Sequence, residues 1–381
     1  RFKCDWSSDV CSSDLYGEIL FLWHSLAFLL ANSVMGVSMQ IVRGLGKNKF
    51  FVAVGVMTSF LIVLFTIICL VVFKMGVEAI FISNIAARIC AIVFIEWRVG
   101  TIFKYLSFRV DIKSMSRDVV RFSVPLIPTA ICWWLTGANG RFFINHYLGL
   151  EFNGIYAVAL RFASVFDSVA YIFGTAWQET AIRQYGKDGS ELFFSKILAA
   201  YLLLLSAILV IGGFAFKIFY PLIVSDAYHD SVNYLYLMGL AAAIYAVASF
   251  LELGYQCAKE TNRTVVPILV MACINLLANF VFVQLVGLYG ICLASCISYA
   301  FLLFYRWFDT KRYFRLRVLP MATLPILLAL VSIIPYFFIE HFWWNIAYLA
   351  FVSFFMFFSI PHEVKQMIEN KISKLSHKNS I

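Results

Sequence analysis

The chain has 381 residues, of which 62% are hydrophobic and 13% charged, and its net charge is +9. With a mean hydropathy of +0.86, it lacks the polar surface that a soluble globular protein of this size requires. No RNA- or DNA-binding motif accompanies the positive charge, so nucleic acid is not an expected partner.

The first fourteen residues, RFKCDWSSDVCSSD, fit nothing that follows. We read 1–14 as an artefactual tail in preference to a polar external one. Apolar runs follow at 17–42, 51–73 and 77–97. Each is long enough to cross a bilayer, which takes about 20 residues. A basic connection at 98–121 carries Phe103, Tyr105 and Phe108. It suits a cytoplasmic linker between two lobes that can also lie in the membrane interface. Runs at 123–145, 154–177, 197–220, 233–256, 264–286 and 288–308 come next, then 319–339 and 342–360. The runs are long and lack period-2 alternation, which predicts helices. The expected fold class is therefore all-α, a polytopic membrane helix bundle with about 11 transmembrane helices.

Basic residues sit at alternate junctions. Arg43, Lys47 and Lys49 follow the first run, and Arg98, Lys104, Arg109, Lys113, Arg117 and Arg121 follow the third. Arg183, Lys187 and Lys196 follow the fifth, Lys259 and Arg263 the seventh, and Arg306, Lys311, Arg312, Arg315 and Arg317 the ninth. Lys365, Lys371, Lys374 and Lys378 close the chain, while the opposite junctions hold only Lys74 and Lys217. The positive-inside rule makes the first set cytoplasmic, together with the tail at 361–381. The charge is thus a topology signal. An odd number of spans with an internal C-terminus places the N-terminus outside, and the chain begins with Arg1. The expectation is a fragment: 15–97 as the remaining half of a first lobe, 122–308 as a complete six-helix second lobe, and 309–360 as two additional helices. Three further helices would bring the whole to about 14.

A weak repeat supports two lobes. Gly46-Lys47-Asn48-Lys49 precedes an apolar helix and then Gly76-Val77-Glu78-Ala79-Ile80. Lys259-Glu260-Thr261-Asn262-Arg263 likewise precedes an apolar helix and then Gly287-Leu288-Tyr289-Gly290-Ile291. Both copies run in the same direction, as in parallel-repeat transporters. The cysteines include no C-x-x-C pair, so neither a metal site nor a disulfide framework is indicated.

Several segments resemble one family. They are Arg43-Gly44-Leu45-Gly46-Lys47-Asn48-Lys49, Phe122-Ser123-Val124-Pro125-Leu126-Ile127-Pro128, Trp133-Trp134, Asn153-Gly154-Ile155-Tyr156-Ala157-Val158-Ala159, Ala176-Trp177-Gln178-Glu179, and Tyr305-Arg306 before Asp309-Thr310. In order and spacing, over residues 16 to 320, they look like bacterial O-antigen and capsule flippases. Those belong to the multidrug/oligosaccharidyl-lipid/polysaccharide exporter superfamily. One departure is Gly140-Arg141 where the family often has Asp-Arg. The resemblance implies a non-enzymatic transporter of the bacterial inner membrane, with no cofactor. Its cargo would be an undecaprenyl-pyrophosphate-linked oligosaccharide, and its other partners membrane lipid and a coupling ion, proton or sodium.

Ionisable residues inside spans are site candidates because burying them is costly. Arg141 and Arg161 match phosphate geometry and keep their charge; the alternatives are an outer-interface position for Arg141 and local pairing of Arg161 with Asp167. Arg88 is the counterpart in the first lobe. Gln178 and Glu179 suit sugar hydroxyls or a gate, or a solvated helix end. Pro125 and Pro128 suit a hinge, or a proline-tolerant helix start. Trp133 and Trp134 suit sugar stacking or core packing. Asn275 and Asn279, one turn apart, suit a bond to a neighbouring helix. A cation antiporter of the same superfamily is the second reading, and an O-antigen polymerase or ligase a third, though no nucleophile–base pair supports the latter.

Overall fold

The computed structural model describes residues 8–76, 78–100, 120, 123–124, 126–258, 260–339 and 341–359. Side chains are described from Leu22 onward, apart from residues 126, 162, 179, 261 and 321. Every regular element among them is helical. The chain divides into two compact units, Arg1–Lys113 and Ser114–Ile381.

In the first unit α1 (Ser8–Gly44) and α2 (Asn48–Ile67) both pack on α3 (Glu78–Val99). Met35, Val42, Val54, Ala91 and Ile95 form its small core. The turn between α1 and α2 is closed by Gly46, whose φ of +73° suits a residue without a Cβ. Leu30, Val52, Phe60 and Val93 lie exposed on the outer faces, as hydrocarbon solvent permits.

The second unit contains α4 (Leu126–Tyr147), α5 (Leu150–Gln184), α6 (Ser190–Ala207), α7 (Gly213–Ile223) and α8 (Val232–Cys257). It continues with α9 (Val265–Val286), α10 (Leu288–Asp309), α11 (Pro320–Val331), α12 (Ile333–Phe338) and α13 (Phe342–Phe358). Helix α8 is the axis, packing on both α5 and α10, while α9 joins α4 and α10. The glycines of α8 also admit bulky side chains from other segments. A Cβ on Gly239 would stand 2.9 Å from Leu209, and one on Gly254 2.9 Å from Phe314.

Among the described residues, eight helices are long and apolar enough to cross a membrane. The expected span at 154–177 extends to all of α5, 35 residues long. The run at 197–220 is one rod, α6 to α7, joined by a π-helical turn at Ile208–Gly212. The run at 319–339 is broken between α11 and α12 at Ser332. Pro335 explains the break: it lacks the N–H that would bond Val331, four residues back, and its ring crowds that carbonyl.

Candidate functional site

A cavity of about 650 Å³ opens within the second unit, walled by α4, α5, α8 and α10 with Tyr201 of α6. Helix α5 contributes Tyr156, Leu160, Ala163, Asp167, Ala170, Gly174 and Gln178. Their spacing of three and four residues puts them on one face. The small members Ala163, Ala170 and Gly174 leave the room that the cavity occupies.

Nine of the lining side chains are aromatic. Trp133 of α4, Tyr245 of α8 and Tyr299 of α10 form a cluster: Trp133 meets Tyr245 at 4.7 Å and Tyr299 at 6.1 Å, and the two tyrosines lie 5.3 Å apart. Near the C-terminal ends of α5 and α8, the Gln178 Nε2 donates to Gln256 Oε1 at 2.7 Å. Beside this clasp, Trp177 stacks on Phe250 at 5.4 Å with the rings nearly parallel.

Two carboxylates reach the cavity, Asp167 and Glu252, and no Lys or Arg lines it among the described residues. Glu252 is held by Arg306 of α10, with Nη1 3.0 Å from Oε2. Arg306 is wholly buried and its Nη1 also donates to the Ala248 carbonyl at 2.9 Å. The expectation that Arg306 is a cytoplasmic loop charge is corrected: it completes the buried face of α10, at four-residue spacing from Ser298 and Leu302. That spacing was the available signal. Asp167 differs from Glu252, since no described residue donates a hydrogen bond to it or pairs with it. Asp167 lies within electrostatic reach of Tyr245 and Tyr299.

The arginines fall elsewhere. Arg141 and Arg161 are exposed and outside the cavity lining, although Arg141 lies within electrostatic reach of Tyr156, which does line it. Arg161 forms no ion pair with Asp167. Arg88, in the first unit, donates to Asn32 Oδ1 at 3.1 Å and to Asn84 Oδ1 at 2.7 Å, and its guanidinium lies over the Phe28 ring at 4.7 Å. Glu179 is in α5, but its side chain is outside the described residues, as is Pro125. Pro128 occupies the first turn of α4, where an N–H has no intrahelical partner to lose. Trp134 is 71% exposed, so of the tryptophan pair only Trp133 faces the cavity.

Behind the cavity, three helices are joined by a buried polar chain. Asn139 donates to Asn275 at 3.1 Å, Asn279 to Asn139 at 2.7 Å and to Asn275 at 3.0 Å, and Asn275 to Ser298 at 3.0 Å. The interhelical role expected for Asn275 and Asn279 is what these bonds supply. Gly140, next in α4, packs where a Cβ would stand 3.3 Å from Ile291 and 3.5 Å from the Tyr156 hydroxyl. An aspartate there would crowd both neighbours.

No protein-family model matches the sequence, and no curated protein does. Solved structures do resemble it. A crystal structure of a MATE mutant aligns at 13% identity and TM-score 0.62, covering 76% of this chain and 68% of that one. The lipid II flippase MurJ in its inward closed conformation aligns at 15% identity and TM-score 0.61, covering 86% and 71%. A MOP superfamily transporter from Pyrococcus furiosus, described as having a binding pocket of reversed polarity, aligns at 13% identity and TM-score 0.61, covering 76% and 69%. The chain has the all-α, multi-pass membrane fold of MOP-superfamily transporters.

Proposed function

We propose that the protein moves an undecaprenyl-pyrophosphate-linked oligosaccharide across the bacterial inner membrane for surface polysaccharide synthesis, with the second-unit cavity receiving the glycan. The observation that carries this reading is the lining itself. Aromatic faces at Trp133, Tyr245 and Tyr299 stack on sugar rings, and Asp167, Gln178 and Gln256 accept from or donate to sugar hydroxyls. Such a mixture of apolar wall and a few polar groups suits a specific cargo site. The likeness of fold to a lipid II flippase supports a lipid-linked cargo. Arg141, near Tyr156, and Arg161 are the proposed ligands of the pyrophosphate, outside the glycan cavity, with Arg88 their counterpart in the first unit. Pro125 and Pro128 are the proposed hinge, and Gln178 with Glu179 the proposed sugar contacts at the end of α5.

One observation favours a second reading. Asp167, a carboxylate with no partner among the described residues, lies near Tyr245 and Tyr299, and this also suits an organic cation exported by an antiporter, as the MATE neighbours allow. Binding separates the two. Purified protein in nanodiscs is titrated with a fluorescent undecaprenyl-pyrophosphate trisaccharide and with ethidium. The flippase reading expects the glycolipid to bind and Trp133→Ala to weaken it about tenfold. Ethidium binding without glycolipid binding would replace it with the antiporter reading.

A further inference from the structure

The charge of the cavity reaches beyond the class of cargo to its chemistry. Asp167 and Glu252 are its ionisable acids, and no Lys or Arg balances them from the lining among the described residues. Glu252 is neutralised by Arg306 at 3.0 Å. Asp167 is not: no described cation or hydrogen-bond donor meets it. It shares the cavity wall with Trp133, Tyr245 and Tyr299, whose rings cluster at 4.7–6.1 Å. An uncompensated carboxylate beside aromatic faces attracts a protonated amine, through charge and through the negative faces of the rings. The same field repels a sugar carboxylate.

We infer that Asp167, with Trp133, Tyr245 and Tyr299, forms a subsite for the ammonium group of an amino sugar, so that the cavity selects glycans with a free amine over neutral ones and excludes those carrying a uronic acid. This rests on the flippase reading and specifies its cargo.

The test uses four glycolipids on one undecaprenyl-pyrophosphate carrier, differing in a single sugar: hexose, free hexosamine, N-acetylhexosamine and hexuronic acid. Each is titrated against the full chain in nanodiscs. The free amine should bind about tenfold tighter than the hexose, the uronic acid at least as much weaker, and the N-acetylated sugar, its charge removed, like the hexose. Asp167→Asn should bring all four within about twofold, and Asp167→Glu should keep the order. Thermal unfolding confirms that both variants are folded. Equal binding of the amine and the uronic acid by the unaltered protein overturns the inference and leaves the flippase reading standing. So does an order unchanged in Asp167→Asn. Binding of none of the four overturns the flippase reading and the inference with it. Ethidium separates the sources of positive charge: preference for this soluble cation over the amino glycolipid also overturns the inference.

Discussion

Arg306 of α10 and Glu252 of α8 are joined by an ion pair of 3.0 Å in which the arginine is wholly buried and the glutamate edges a cavity. The asymmetry predicts unequal mutants. Removing Glu252 leaves a buried guanidinium without its counter-ion, whereas removing Arg306 leaves a carboxylate that can turn toward the cavity. Breaking a buried pair from one side costs about 3–5 kcal/mol. Glu252→Ala should lie at that end, and Arg306→Leu should cost less. The double variant Glu252→Ala/Arg306→Leu should be more stable than Glu252→Ala. Thermal unfolding in detergent, arranged as a double-mutant cycle, reads the coupling. Additive losses would show that the pair is not coupled.

The asparagine chain predicts a second hierarchy. Asn275 accepts from Asn139 and Asn279 and donates to Ser298. Asn275→Ala therefore removes three bonds and leaves the Asn139 amide N–H without its acceptor, and should cost about 1–3 kcal/mol. Ser298→Ala removes one acceptor for Asn275 and a bond within its own helix to the Ser295 carbonyl, and should cost about 1 kcal/mol or less. Unfolding midpoints of the two variants check the order, and a larger loss in Ser298→Ala would contradict it.

A third prediction concerns the α9–α10 turn. Gly287 bends the chain with φ of +59°. At Gly290 an added Cβ would stand 2.3 Å from the Phe282 carbonyl carbon and oxygen. Backbone cannot yield as a side-chain tip can, so Gly290→Ala should force the two helices apart and sharply reduce folded protein. Gly76 precedes α3 as Gly287 precedes α10 in the weak repeat, and nothing lies within 4 Å of its Cβ position. Gly76→Ala should be tolerated. Size-exclusion chromatography of the two variants decides this; equal behaviour would contradict the close approach.

The Lys/Arg bias predicts orientation across the membrane. Cysteines at Lys113 and Lys187 should resist a membrane-impermeant maleimide in intact cells, and one at Asp230 should react. Strong external labelling at Lys187→Cys would reverse the assignment.

What could be read in advance followed helical geometry. Spans were legible because crossing a bilayer requires a continuous apolar run, and the one-turn spacing of Asn275 and Asn279 pointed to another helix. Asp167 was harder to place. Six residues from Arg161, it looked like a local partner, but at about 100° per residue the two side chains leave the helix about 120° apart. Arg161 is exposed on another face, and Asp167 joins the cavity wall. At Arg306 the sequence is ambiguous for the opposite reason. A basic residue at the end of an apolar run carries the same letter whether it faces solvent or the carboxylate of another helix. Only the packing of α8 against α10 distinguishes them.

On the proposed function, the second-unit cavity holds the sugar portion of a lipid-linked oligosaccharide. The most direct measurement places a photo-crosslinking benzoylphenylalanine at Tyr245, in the cavity wall, and separately at Phe304, which is 67% exposed on the outer face of α10. Membranes containing each protein are supplied with undecaprenyl-pyrophosphate oligosaccharide radiolabelled in the terminal sugar and irradiated. Sugar label on the protein with the probe at 245, and little with the probe at 304, is the predicted result. No label at 245, or equal label at both positions, would contradict the claim.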